Sequence, residues 1–254
     1  MTELFRGAGV ALVTLFHDDG AIDPGATGAF ARELVERGMR AVLVAGTTGE
    51  AATLTNAERS ALIAEVRSAI QPGVPVIAGT GAPSIRQATG LTQEAVAAGA
   101  DAVLAWPPPG GQDMAGYFKA VADAAQGRPV LAYHFPRVYP PGIGVDALAG
   151  LPVAGQKDSS GAADRLLEEL AHYPGATYVG SSALLALAGP MGATGALLAL
   201  ANVEPERCVA AFEGDTTAQR EIADRHLACA RGGVPALKRI LAEDLDRPVP
   251  IRVG

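Results

Sequence analysis

The chain has 254 residues, 49% of them hydrophobic and 19% charged, with a formal net charge of −7. About 250 residues is the usual size of one α/β barrel, and the acidic balance excludes the general affinity for nucleic acid that a basic surface would confer. Cys208 and Cys229 have neither a dense disulfide framework nor metal-ligand spacing, so both are expected as reduced, mostly buried thiols. Met1 to Arg6 lacks a basic stretch leading into an apolar run, so no export signal is expected and the cytoplasm is the expected compartment.

Short apolar runs alternate with helical patterns, the signal for repeated βα units and a parallel sheet. The strands are expected at Val10 to Phe16, Ala41 to Ala45, Val74 to Ala78, Ala102 to Trp106, Val130 to Phe135, Val153 to Lys157, Thr177 to Val179 and Ala196 to Leu200. Helix starts are legible at Asp23-Pro24, at Thr55 and Ser84 with capping-box spacing, and at Asp113; the fifth helix, Val145 to Leu151, is short. Tyr173 to Val203 carries no Asp, Glu, Lys or Arg. Gly189 to Gly195 interrupts it, so the pieces read as a short helix and a buried strand rather than a membrane span. Three further helices are expected near Pro205 to Glu213, Thr217 to Arg231 and Pro235 to Leu245. The expected fold is therefore α/β, a TIM (β/α)8 barrel over 1–214 with a short C-terminal helical extension over 215–254 packed on it. A doubly wound open sheet is disfavoured, because no GxGxxG follows the first strand.

Barrel enzymes collect reactive groups at the carboxyl ends of strands. Three ends carry chemistry: Gly46-Thr47-Thr48-Gly49-Glu50, Tyr133-His134-Phe135-Pro136-Arg137, and Lys157. Lys157 is one of three lysines, and a strand end can desolvate an amine enough to make it a nucleophile. Lys119 and Lys238 lie on amphipathic helical patterns whose charged heads are expected to reach water. Tyr133 can pass protons with Thr47 as relay, and Thr48 with the N–H groups around Gly49 can hold a carboxylate. This is the kit for imine chemistry on a 2-keto acid, with no cofactor or metal called for. Glu50 and His134 read as structural, and His17, Asp18 and Asp19 as a solvated loop. Arg137 is either a carboxylate binder or an ordinary surface or interface arginine. Pro107 to Pro109 reads as a stiff loop walling the site mouth.

In order along the chain, Val10 to Thr14, Gly46 to Glu50, Ala78 to Gly81, Tyr133 with Pro136, Lys157 to Gly161 and Gly192 to Val203 resemble the pyruvate-dependent Schiff-base aldolases typified by dihydrodipicolinate synthase and N-acetylneuraminate lyase. The resemblance implies that Lys157 is the imine lysine, Tyr133 the proton-transfer tyrosine, Thr47 its relay partner and Thr48 a carboxylate binder. It also implies that Gly180 and Leu197 contribute backbone to the pyruvate pocket. The partners it implies are pyruvate and an aldehyde, in a homo-oligomer, dimer or tetramer, with no membrane or nucleic acid. Many of the proteins it resembles carry a tyrosine pair after the fourth strand, one member completing a hydroxyl relay in a neighbouring subunit. Here that segment is Trp106-Pro107-Pro108-Pro109-Gly110-Gly111, so the relay cannot be assembled in the usual way. The synthase arginine also lies slightly further from the tyrosine than Arg137, and the chain stops soon after Arg252, where relatives continue into another helix. These departures favour a 2-keto-3-deoxy sugar-acid-type aldolase over dihydrodipicolinate synthase, with a non-catalytic keto-acid-binding barrel as the reading from another class.

Overall fold

The computed structural model describes residues 3–111 and 113–253. Among these residues, eight parallel strands close into a barrel in sequence order: β1 Gly7–Ala11, β2 Val42–Val44, β3 Val76–Gly79, β4 Ala102–Ala105, β5 Val130–His134, β6 Gly155–Asp158, β7 Ala176–Val179 and β8 Gly195–Leu198. β1 pairs with both β2 and β8, which closes the ring and leaves no open edge. Seven strands begin within two residues of their expected starts. The first is displaced: pairing begins at Gly7, and Phe16, expected inside the strand, instead bridges antiparallel to Ile22. Gly9 explains why pairing can start so early. A β-carbon there would stand 3.0 Å from Ala41 O and 3.1 Å from Leu197 Cδ2, so the ring closes around a residue whose apolar signal is nil.

The connecting helices are α1 Pro24–Glu36, α2 Asn56–Ala69, α3 Ile85–Ala97, α4 Met114–Ala124, α5 Val145–Leu148, α6 Ala163–His172, α7 Leu185–Ala188 and α8 Pro205–Phe212. The expected caps are formed. Asp23 accepts from Ala26 N, Ser84 from Gln87 N and Asp113 from Gly116 N, while Thr55 and Glu58 make a reciprocal capping box. Beyond them come α9 Thr216–Glu221 and α10 Ala223–Leu245, so the stretch expected over Thr217 to Arg231 divides at Ile222. α10 breaks at Gly233, at φ 60° and ψ −149°, two residues before Pro235. No helix among the described residues is long and apolar enough to cross a membrane.

Two apolar layers follow from the two faces of the strands. The larger lies between strands and helices, where Val10, Val42, Val76, Val103, Val130 and Leu198 meet Leu34, Leu62, Phe118 and Leu166. The smaller fills the barrel itself with Ala11, Leu43, Ile77, Leu104, Leu131, Tyr133, Tyr178 and Leu197. Tyr178 stacks on Phe5 at 4.6 Å between centroids and receives hydrogen bonds from Leu4 N and Phe5 N, which stoppers the amino-terminal end of the ring. The opposite end is open to the site.

Candidate active site

Register brings the central pair together. Tyr133 on β5 faces Lys157 on β6, and Lys157 faces Tyr178 on β7, so all three point into the barrel, with Tyr178 turned down to its floor. The Lys157 amine lies 4.8 Å from the centre of the Tyr133 ring and its side chain is 4% exposed. Desolvation pulls its pKa down to about 7, because apolar walls penalise the ammonium form. The carboxylates that could have claimed it are engaged elsewhere. Asp158 accepts from Ser160 N at 2.7 Å and from Ser160 Oγ at 3.0 Å, and Glu50 pairs with Lys238 at 2.5 Å. Among the described residues no carboxylate pairs with Lys157.

Burial pushes the pKa of the Tyr133 hydroxyl up to about 12, with the neighbouring Ser159 and Thr47 side chains pulling the other way. The hydroxyl therefore holds its proton unless a base takes it. Thr47 stands in the turn after β2, whose ends, Ala45 (φ 52°) and Glu50 (φ 55°), are non-glycine residues in the left-handed region. Such backbone costs about 1–3 kcal/mol per residue and persists where packing enforces it. Gly79 makes the turn possible: a β-carbon there would overlap Ala45 O. Glu50 receives Arg252 N and Val253 N, both at 2.8 Å, besides Lys238, which is the structural role expected for it. Lys238 departs from expectation. It is 1% exposed, donates to Pro250 O at 2.8 Å and lies 4.3 Å from the Phe16 ring, because α10 folds its polar edge onto the barrel instead of into water.

A cavity of about 530 Å³ opens above the amine, within the range of small-molecule sites. Lys157, Tyr133, Thr47, Thr48, Gly180 and Arg137 all border it. Gly180 is required there, since a β-carbon would overlap Ser159 Oγ and stand 3.0 Å from Lys157 Cε. Two expected residues are not among those bordering the cavity. Leu197 is fully buried in the barrel's interior layer, below the cavity, and Ala199 and Leu200 border the cavity instead. Gly49 is buried against β1, with its carbonyl taken by Thr14 Oγ1 at 2.7 Å, so it shapes the turn rather than the cavity wall. Arg137 is exposed, lies 5.5 Å from the Phe135 ring centre and donates to Ala230 O at 3.3 Å. His134 faces away from the site, as alternation implies: Nδ1 accepts from Ile143 N at 2.9 Å, and burial lowers its pKa to about 4.

Sequence reasoning missed several residues. Ser159 and Ser182 border the cavity, and Ser182 Oγ is 2.7 Å from Nδ1 of His226, which α10 brings to the mouth together with Cys229. Tyr139 is the largest omission. Its hydroxyl lies 3.0 Å from Thr47 Oγ1, and its ring stacks on Trp106 at 4.6 Å and 6°. No strand period reaches it, because it sits in the turn after β5, folded back by the Val138 and Tyr139 amides donating to Phe135 O. The one available signal was a second tyrosine six residues beyond Tyr133. The Cys208 thiol is buried and Cys229 half-buried, burial raising the pKa of both.

Residues 4–231 match the model of the Dihydrodipicolinate synthetase family. A 4-hydroxy-tetrahydrodipicolinate synthase of a Synechococcus species is 43% identical over 130 residues, covering 50% of this chain and 43% of that protein. One from Dechloromonas aromatica is 35% identical over 242 residues, covering 90% of this chain and 82% of that protein. Among solved structures, the chloride-inhibited dihydrodipicolinate synthase of Acinetobacter baumannii complexed with pyruvate superposes with a TM-score of 0.88 at 28% identity, covering 98% of this chain and 92% of that one.

Proposed function

The chain belongs to the dihydrodipicolinate synthetase family of carbon–carbon lyases, and we propose that it is a class I aldolase or lyase in which Lys157 condenses with pyruvate. One observation carries this reading: a buried amine without a carboxylate partner, beside a buried phenol, at the floor of an open cavity. With its pKa near 7, Lys157 supplies a large share of free amine near neutrality, which attacks the keto carbon while Tyr133 protonates the oxygen that accepts the carbonyl pair. Thr48, which borders the cavity, receives the pyruvate carboxylate in this reading. The iminium then withdraws electrons from the neighbouring carbon, so a C–C bond can form or break there. The Acinetobacter relative in its pyruvate complex supports the choice of keto acid. Borohydride reduction in the presence of pyruvate should add one pyruvate-derived mass to Lys157; an unlabelled native enzyme, or equal labelling of Lys157→Ala, would sink the proposal.

The acceptor divides two readings. A polyhydroxylated aldehyde, as in 2-keto-3-deoxy sugar-acid aldolases, suits a cavity bordered by the hydroxyls of Ser159, Ser160, Ser181 and Ser182 and by His226. The synthase reaction with aspartate semialdehyde is supported by the names of the relatives and by Arg137 at the rim, a group suited to a carboxylate. The absence of a tyrosine after β4 no longer separates them, since Tyr139 puts a phenol beside Thr47. Turnover of pyruvate with glyceraldehyde-type acceptors against aspartate semialdehyde decides between the two. A barrel that binds pyruvate and turns over neither would be the non-catalytic alternative.

A further inference from the structure

Resting on the imine reading above, we propose that His226 recognises the acceptor aldehyde by hydrogen-bonding a hydroxyl of its chain, and so selects hydroxylated acceptors over plain ones. The cavity supplies the room. At about 530 Å³ it runs from Lys157 to the C-terminal helix, far more than a three-carbon keto acid fills. His226, Cys229, Ala230 and Gly233 border it, and their spacing of three, four and seven places them on one face of α10. Of these four, His226 alone carries a strong hydrogen-bonding group.

The ring is held from the barrel side. Ser182 Oγ lies 2.7 Å from His226 Nδ1, and Ser182 is itself 5% exposed. Its turn is pinned by Gln219 of α9, whose side-chain nitrogen donates to Ser182 O at 2.9 Å and whose side-chain oxygen accepts from Ala186 N at 3.0 Å. On the other flank Arg137 donates to Ala230 O, one turn along α10 from His226. The C-terminal helices thus supply the imidazole and also fix the serine that orients it. With Nδ1 engaged, Nε2 has no protein hydrogen-bond partner among the described residues, on a half-buried side chain that borders the cavity.

Such a nitrogen suits a hydroxyl better than a charge or a hydrocarbon. Burial draws the His226 pKa below its ordinary value of 6.5, so the ring is uncharged near neutral pH. If Ser182 gives its proton to Nδ1, Nε2 carries the N–H and donates; if Nδ1 donates to Ser182, Nε2 accepts. A hydroxyl answers either arrangement, because it both donates and accepts. A carboxylate answers only one of them. A methylene answers neither and leaves Nε2 stripped of water and unpaired, which is how a polar site rejects an analogue lacking the hydroxyl. Ser182 acts through the ring and is a positioning residue.

Glyceraldehyde and propionaldehyde share a three-carbon frame and differ by two hydroxyls, so their kcat/KM ratio with pyruvate reads the site. The wild type should favour glyceraldehyde by at least about tenfold. His226→Leu should lower kcat/KM for glyceraldehyde about 10- to 50-fold, mostly through KM, while propionaldehyde changes less than about threefold. His226→Gln, whose amide reaches the place of Nε2, should recover part of the loss, and Ser182→Ala should lower the same ratio by a smaller factor. Borohydride labelling of Lys157 and exchange of pyruvate methyl protons with D2O are measured without an acceptor. Both should stay at the wild-type level in His226→Leu, which shows the variant folded. Equal losses on both aldehydes, an unchanged ratio, or a wild type that prefers aspartate semialdehyde at a rate His226→Leu leaves untouched would each overturn the role of His226 while leaving the imine reading intact. An unlabelled wild-type enzyme would instead remove the imine reading, and this role with it.

Discussion

Lys157 and Lys238 are buried to almost the same degree, 4% and 1% exposed, yet the barrel treats them in opposite ways. Lys238 meets Glu50 at 2.5 Å, Pro250 O at 2.8 Å and the Phe16 face at 4.3 Å, so its charge has an anion, a carbonyl and a π-cloud. Burial draws its pKa down while Glu50 pulls it back up. Lys157 has a ring edge of apolar barrel and the Tyr133 face, and desolvation acts on it unopposed. Burial alone therefore does not make an amine reactive; burial without a counter-charge does. The paired lysine ties the C-terminal segment to the turn that carries Thr47, and Arg252 extends the tie through Glu58 and Gly20 O. In the proposed reaction one lysine performs the chemistry, while the other holds the turn that carries Thr47.

The contrast can be broken most severely at Lys157. Lys157→Met should remove turnover by at least about 10³-fold and abolish borohydride labelling, measured by steady-state assay and intact mass, because no other amine stands at the cavity floor among the described residues. At Lys238 the same substitution should act on stability instead. Lys238→Met leaves Glu50 a buried anion short of its ion-pair partner, and a loss of about 3–5 kcal/mol is expected in chemical denaturation. Adding Glu50→Gln should return part of it.

Stability at Lys157 should move the other way. Its folded-state pKa, about 7, lies below the unfolded value of 10.5, so the unfolded chain binds more protons between these limits. The penalty is full below about pH 7 and fades as pH rises to 10.5. Lys157→Met should accordingly stabilise the fold at pH 7 by roughly 2–4 kcal/mol, and its stability should lack the wild-type rise between pH 7 and 10.5. The same titration shapes the rate: kcat/KM should fall about tenfold per pH unit below pH 7 as the free amine is protonated. A flat acid limb down to pH 5 would contradict an unpaired Lys157. The smallest change is steric. Gly180→Ala should lower kcat/KM about tenfold by displacing Ser159 and Lys157 Cε while shifting Tm by only a few degrees, since the cavity side can yield.

The sequence by itself determined the periodic part of this protein. Eight apolar runs with helices between them, and caps at Asp23, Thr55, Ser84 and Asp113, followed from local signals of period and hydrogen-bonding chemistry, and a rare lysine at a strand end marked the site. Position along a strand was less legible: Gly9 lies within β1 because close approach to Ala41 and Leu197 demands the absence of a side chain, a demand made by residues far away in the chain. Only the tertiary structure decided which Lys is paired, since Glu50 and Lys238 lie 188 positions apart. It also decided that Leu197 lies below the cavity and Ala199 beside it, a matter of strand tilt and stagger. Tyr139 and His226 reach the site from a turn and from a helix of the C-terminal region, where side-chain direction has no period to read, so their roles come from packing against Trp106 and Ser182 alone.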